Sequence, residues 1–293
     1  MISADDAFAG GSMIAVGVFG LTCHLLEVGS LWKLGKKYVG FRLVLGQSFA
    51  EILLLLQFGI WPGLVCLLKT TLVPVEYKLY AHVYMDIIWF AMSYMQIAVG
   101  ISRLCCIIIP KFNNRHCYYI FAIIYSTATI QAIIVHTAPW FVPLFYDANV
   151  YGTTGDFIKY DSEGTSTYYF VVHLIIMQLF ITGTGKKDGV ERQSSMIQSV
   201  EIRLIFPAMI SAALFIIGQI LITGGLGQNK WTGYFVMIIF SFQCLSPPIL
   251  RFIFSPSLRT EVIQKVILKG TSNPGIQVAT IIPLKQPSHN IEK

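Results

Sequence analysis

Seven runs of apolar residues, at about 8–32, 43–68, 79–109, 117–145, 167–184, 204–226 and 231–254, leave little of this 293-residue chain over. A hydrocarbon core of roughly 30 Å takes about 20 apolar residues of helix to cross. The spacing therefore predicts an all-α membrane protein, a bundle of seven transmembrane helices. Charged residues make up 12% of the chain, about half the share of a soluble domain, which is too few to clothe a water-soluble surface. The formal net charge of +6 is accordingly read through its placement along the loops and gives no reason to expect a nucleic-acid partner.

An odd number of crossings puts the two ends of the chain on opposite faces. With the amino end outside, the cytoplasmic segments hold 17 of the Lys and Arg residues and leave Lys69, Lys78, Lys159 and Lys230 outside. The long connection between spans four and five gathers Asp147, Asp156, Asp161 and Glu163. That one-sidedness predicts an external amino terminus and a cytoplasmic carboxyl terminus. Asp5 and Asp6 stand where a cleaved leader carries Lys or Arg, so the first span is expected to act as its own insertion signal. Only Cys66 of the six cysteines falls near the outside, so no extracellular disulfide is expected.

Three parts follow along the chain: a membrane domain over 1–256, a short amphipathic helix over 257–269, and a disordered cytoplasmic tail over 270–293. In the second part, Val262, Ile263, Val266 and Ile267 share an arc opposite Glu261, Gln264, Lys265 and Lys269, a pattern suited to the inner leaflet, although Leu258 falls outside it. Between spans five and six, Met196, Ile197, Val200 and Leu204 follow helical spacing while Arg192 and Arg203 point elsewhere. Span six is thus expected to extend below the membrane as an amphipathic helix.

Span three carries the sharpest internal pattern. Asp86, Trp89, Ser93, Gln96, Gly100 and Arg103 recur at alternating spacings of three and four, which places them on one side of a helix. A polar stripe in a membrane helix faces other helices or water, because an ionisable group in hydrocarbon costs several kcal/mol. Asp86, Trp89, the adjacent Phe90 and Ser93 are the candidate ligand contacts; the alternative for Asp86 is a hydrogen bond to a neighbouring helix. Glu27 and Glu51 must also point inward, as structural hydrogen-bond partners or ion ligands.

His24, His82, His136 and His173 lie in or beside spans, but no two are three or four residues apart, and His82 with Asp86 is the one mixed pair at helical spacing. Zinc needs three or four convergent ligands, so neither a metal centre nor a cofactor is expected, and no enzymatic activity. Span seven has no interior Lys for a retinal Schiff base. The glutamines Gln131, Gln178, Gln219 and Gln243 are expected to hydrogen-bond between helices.

Ile101-Ser102-Arg103, with Pro110 seven residues past the arginine, resembles the Asp-Arg-Tyr region and following loop proline of rhodopsin-like G-protein-coupled receptors. Pro110-Lys111-Phe112-Asn113-Asn114 and Gly20-Leu21-Thr22-Cys23-His24 look more closely like the corresponding motifs of nematode serpentine chemoreceptors. The stretch from Arg42 to Phe121 is most similar to the class X group, and Pro247-Pro248 with Phe254 to Arg259 resembles the family's seventh-span ending. The chain departs from the pattern at Ser102, at His24 in place of asparagine, in lacking a Cys that joins span three to the outer loop, and in lacking the mid-membrane Trp-Pro of span six.

The resemblance implies a chemosensory receptor of the plasma membrane, in a sensory cilium. It implies a small-molecule ligand between the outer helix halves and a heterotrimeric G protein below, coupled through Arg103, Pro110, Arg192 and Arg203. The alternative class is an ion or solute transporter or channel using Asp86, Glu51 and Glu27 as a pathway.

Overall fold

The computed structural model describes residues 2–108, 114–172, 175, 210, 211, 213–218, 220–222 and 229–270. Helix α1 spans Ala4–Lys37, α2 Val39–Leu68, α3 Lys78–Ile108 and α4 Asn114–Thr137. A hairpin of β1 (Phe145–Asp147) and β2 (Gly152–Thr154) follows, then α5 (Phe157–Ser162). Beyond it, helical residues 165–172 and the helical pieces of 210–222 lead toward α6 (Lys230–Phe254) and α7 (Pro256–Gly270). Four described helices, within α1, α2, α4 and α6, are long and apolar enough to cross a membrane.

Burial is inverted relative to a soluble protein. Large apolar side chains such as Phe19, Leu25, Ile130 and Ile134 are exposed, while His24, Glu27, Glu51 and Asp86 are buried. Only a hydrocarbon solvent favours both at once, and this chain is a membrane protein.

Helices α1 and α2 approach through glycine. A Cβ on Gly59 would lie 2.9 Å from Gly17 Cα, and one on Gly63 2.8 Å from the Gly10 carbonyl. With no hydrophobic effect to hold helices together in lipid, close backbone contact of this kind supplies the packing. Gly59→Ala is expected to force the helices apart at a cost of about 1–3 kcal/mol. Gly11→Ala, where a Cβ meets nothing within 4 Å, is expected to gain up to about 1 kcal/mol from helix propensity. Thermal unfolding in micelles distinguishes the two.

Prolines free three carbonyls inside the bundle, and each finds a donor. In α2 the turn Leu56–Ile60 is a π-helix, with Trp61 N–H reaching back five residues to Leu56 O. In that register the donor for Gln57 O is Pro62, which has none. Tyr146 of the hairpin donates to Gln57 O instead, at 2.5 Å. In α6, Pro247 and Pro248 leave the carbonyls of Gln243 and Cys244 without helical donors. Ser246 Oγ donates to the first at 3.3 Å, and His24 Nε2 on α1 meets the second at 3.0 Å. His24 is thus a tie from α1 to α6.

The fourth apolar run, expected as a span over 117–145, is helical only to Thr137. Pro139 disfavours helix at the residue before it, and Pro143 prevents resumption, so 138–144 turn across the bundle toward the hairpin. Strands three residues long offer too little alternation to be read in a sequence. In register, Phe145 pairs with Thr154, Tyr146 with Thr153 and Asp147 with Gly152. Cys23, Cys66, Cys117 and Cys244 are free thiols; the hairpin is fastened by hydrogen bonds. Tyr151 donates to Asp6 Oδ1 at 2.8 Å, and Asp6 also pairs with Lys69 at 2.5 Å and caps α1 through Ser3. Gly233 at the start of α6 lies so close to the Val150 carbonyl that a Cβ there would come within 2.2 Å.

At the opposite end, α7 packs on α1 through Leu258 and Val262, with Glu261 to Lys33 at 3.0 Å. The arc expected from sequence excluded Leu258, yet Leu258 is the anchor and Ile263 is exposed. The difference arises because a neighbouring helix, and not only a lipid surface, takes the apolar face.

Candidate functional site

A cavity enclosing about 610 Å³ of atom-free space, including the part open to solvent, lies among α2, α3, α6 and the hairpin. Trp89 of α3 packs edge-on to Phe58 and Phe240, with ring centroids 5.5 and 5.1 Å away, and 5.2 Å from Phe215. These rings form an apolar wall. Polar groups line the same cavity: Asp86 and His82 from α3, Gln57 from α2 and Tyr169 from the helix beyond α5.

Tyr146 forms part of the cover. Its ring packs 5.5 Å from Trp61, and burial pushes its phenol pKa up, so it remains a proton donor to the Gln57 carbonyl at any ordinary pH. Tyr146→Phe leaves that buried carbonyl unpaired, at an expected cost of about 1–3 kcal/mol. Limited proteolysis of the 138–156 segment checks it: faster cleavage in the variant is expected.

Of the four candidate ligand contacts, Asp86 and Trp89 line the cavity. Phe90 is wholly buried and stacks on Tyr169 at 6.1 Å, so it supports the site from behind. Ser93 donates to the Trp89 carbonyl of its own helix at 3.0 Å, a local bond. Asp86 accepts from Tyr169 Oη at 2.7 Å. The helix bearing Arg103 is described but that side chain is not, and Pro110, Arg192 and Arg203 lie outside the described residues.

Sequence spacing did not show that His136 of α4 meets the His82–Asp86 pair. His82 Nδ1 lies 2.7 Å from His136 Nε2, and Asp86 Oδ2 is 3.8 Å from the first and 3.6 Å from the second. The hydrogen bonds run in one direction. Leu144 N–H donates to His82 Nε2 at 3.2 Å, so His82 carries its proton on Nδ1 and donates it to His136 Nε2. His136 in turn uses Nδ1–H on the Ala132 carbonyl at 2.8 Å. Beside this chain, Gln131 accepts from Tyr94 and donates to Tyr168 Oη at 2.6 Å, joining three helices as expected of it; Gln178 and Gln219 lie outside the described residues.

A second polar cluster sits apart from the cavity. Arg251 of α6, counted from sequence among the cytoplasmic anchors, is 4% exposed because it reaches into the bundle. Its guanidinium lies 2.8 Å from Glu27 Oε1 and 2.8 Å from Glu51 Oε2 and donates to Ser48 Oγ at 3.2 Å. Gln47 holds the other Glu51 oxygen at 2.8 Å. The signal available in sequence was charge arithmetic: two intramembrane carboxylates demand a cation, and Arg251 falls inside an apolar run.

No protein-family model matches the chain, and no curated protein matches it in sequence. Among solved structures, squid rhodopsin superposes with a TM-score of 0.60 over 94% of this chain and 93% of that one, at 12% sequence identity. At that identity the likeness is one of fold, and the fold of this chain is rhodopsin-like.

Proposed function

We propose that this chain is a chemosensory G-protein-coupled receptor of the plasma membrane, crossing it seven times with its amino end outside. A small molecule binds in the cavity beneath the hairpin, against Trp89 and Asp86. One observation carries the reading: a rhodopsin-like fold holds a cavity lined by aromatic rings together with a few polar groups, between helices that continue to the opposite end of the bundle. A ligand that favours one helix arrangement raises the affinity of a partner that favours the same arrangement, and the coupling is reciprocal. The partner surface is assigned to Arg103, Pro110, Arg192 and Arg203, as the resemblance to serpentine chemoreceptors of class X implies.

The ligand is not a retinal Schiff base, because the only Lys in 230–254 is Lys230, at the start of α6 and paired with Asp5 at 2.6 Å. A transporter pathway through Glu27 and Glu51 is disfavoured by Arg251, which closes both into one ion cluster.

The test is nucleotide exchange on heterotrimeric G proteins by the purified receptor across a library of small volatile and water-soluble compounds. Ligand-dependent exchange, weakened at least tenfold in potency by Asp86→Asn, is expected. Exchange on no α subunit, together with solute flux in proteoliposomes, overturns the reading in favour of transport.

A further inference from the structure

A buried carboxylate that stays ionised needs a counter-charge. Glu27 and Glu51 have Arg251. Asp86 is buried to 6% exposure, and among the described residues it faces two imidazoles and one phenol, with no Lys or Arg paired to it. We propose that His82, His136 and Asp86 bind one divalent transition-metal ion of the zinc class, with an open coordination position toward the cavity. The proposal adds a ligand to the receptor and stands whether or not the chain couples to a G protein.

The donor set and its spacing carry the argument. His82 Nδ1, His136 Nε2 and Asp86 Oδ2 come from two helices and form a triangle with sides of 2.7, 3.6 and 3.8 Å. Tetrahedral zinc with bonds of about 2.0–2.1 Å needs ligand atoms about 3.3–3.4 Å apart. Two sides therefore fit to within a few tenths of an ångström, and the imidazole pair must open by about 0.6 Å by the same geometry. Two imidazoles and one carboxylate suit zinc, copper or nickel and not magnesium or calcium.

The supporting groups are present. His136 Nδ1–H is held by the Ala132 carbonyl, which fixes the ring so that Nε2 presents its lone pair, and Tyr169 Oη orients the Asp86 carboxylate. Phe141 packs 4.5 Å from the His136 ring and 5.9 Å from His82, giving the site an apolar wall. His82 and Asp86 reach the cavity surface, so a fourth ligand, water or a donor atom of the small molecule, enters from that side.

The ion takes the place of the proton now shared by the two imidazoles. That proton moves from His82 Nδ1 to Nε2 through solvent, so no net proton is lost from the ring. His82 Nε2–H then faces the Leu144 N–H, and the two donors repel. Metal binding therefore also detaches the residue 144 backbone from α3, just before β1 of the cover.

The experiment is titration of the purified, tag-free full-length protein with Co²⁺, followed by its ligand-field absorption, with Zn²⁺ as competitor. One Co²⁺ per chain in a tetrahedral site, displaced by one Zn²⁺, is expected. His136→Ala and His82→Ala should each weaken binding by about 100-fold or more, and Tyr169→Phe by roughly tenfold. Should an alanine variant not fold, X-ray absorption of the wild-type zinc complex decides, with imidazole scattering from two histidines expected. The Leu144 amide should exchange faster with zinc than without. Absence of saturable binding below millimolar metal, equal binding by wild type and Tyr169→Phe, or zinc spectra lacking imidazole scattering overturns the proposal.

Discussion

Arg251→Met is expected to lower the stability of the folded protein by about 3–5 kcal/mol, the cost of leaving buried charge uncompensated. In the native bundle one guanidinium serves Glu27 from α1 and Glu51 from α2 while it stands on α6. All three side chains are at most 5% exposed, so water cannot take over its role. Replacing the carboxylates as well changes the sign of the argument. The triple variant Glu27→Gln, Glu51→Gln, Arg251→Met removes both charge and counter-charge, and should recover most of the loss, because a neutral replacement of a buried ion cluster is commonly tolerated. Arg251→Lys should fall between, since an ammonium cannot present the planar fork that meets two carboxylates and Ser48 together. Thermal unfolding in detergent micelles measures the series. Equal melting of the wild type and the single variant would mean that the cluster contributes nothing.

Trp89→Ala is expected to be comparably severe, at about 3–5 kcal/mol, as for other large core aromatics. The indole stands at the meeting point of Phe58, Phe215 and Phe240, rings from separate segments, so its loss leaves a hole that no single neighbour can fill. Trp89→Phe keeps a ring there and should retain more than half of the lost stability. The same pair separates packing from binding. Because Trp89 also lines the cavity, Trp89→Phe should bind ligand more weakly even where it melts close to the wild type, whereas Phe90→Leu, a substitution behind the cavity, should change stability more than affinity.

The helical membrane fold was legible in the sequence because its driving force is local: apolar length shows in any window, and the three-four alternation put Asp86 and Trp89 on the face that lines the cavity. What was not legible depended on chain segments far apart. His136 is 54 positions from His82, and nothing in the spacing of α4 marks it as a partner. Arg251, three residues before the end of α6, reads as an interfacial anchor until α1 and α2 are placed beside it. The hairpin was missed because its strands are three residues long and held by a phenol on a carbonyl that Pro62 and a π turn leave free. Leu258 falls outside an arc drawn for a flat membrane, while its neighbour in the bundle is α1.

Both the proposed receptor function and the placement of the cavity at the outer face rest on the chain crossing the membrane an odd number of times. Epitope tags on the amino and carboxyl termini, probed with antibody on intact and then permeabilised cells, test this most directly. The amino-terminal tag is expected to be reached on intact cells and the carboxyl-terminal tag only after permeabilisation. Both tags reached from the same side would contradict it.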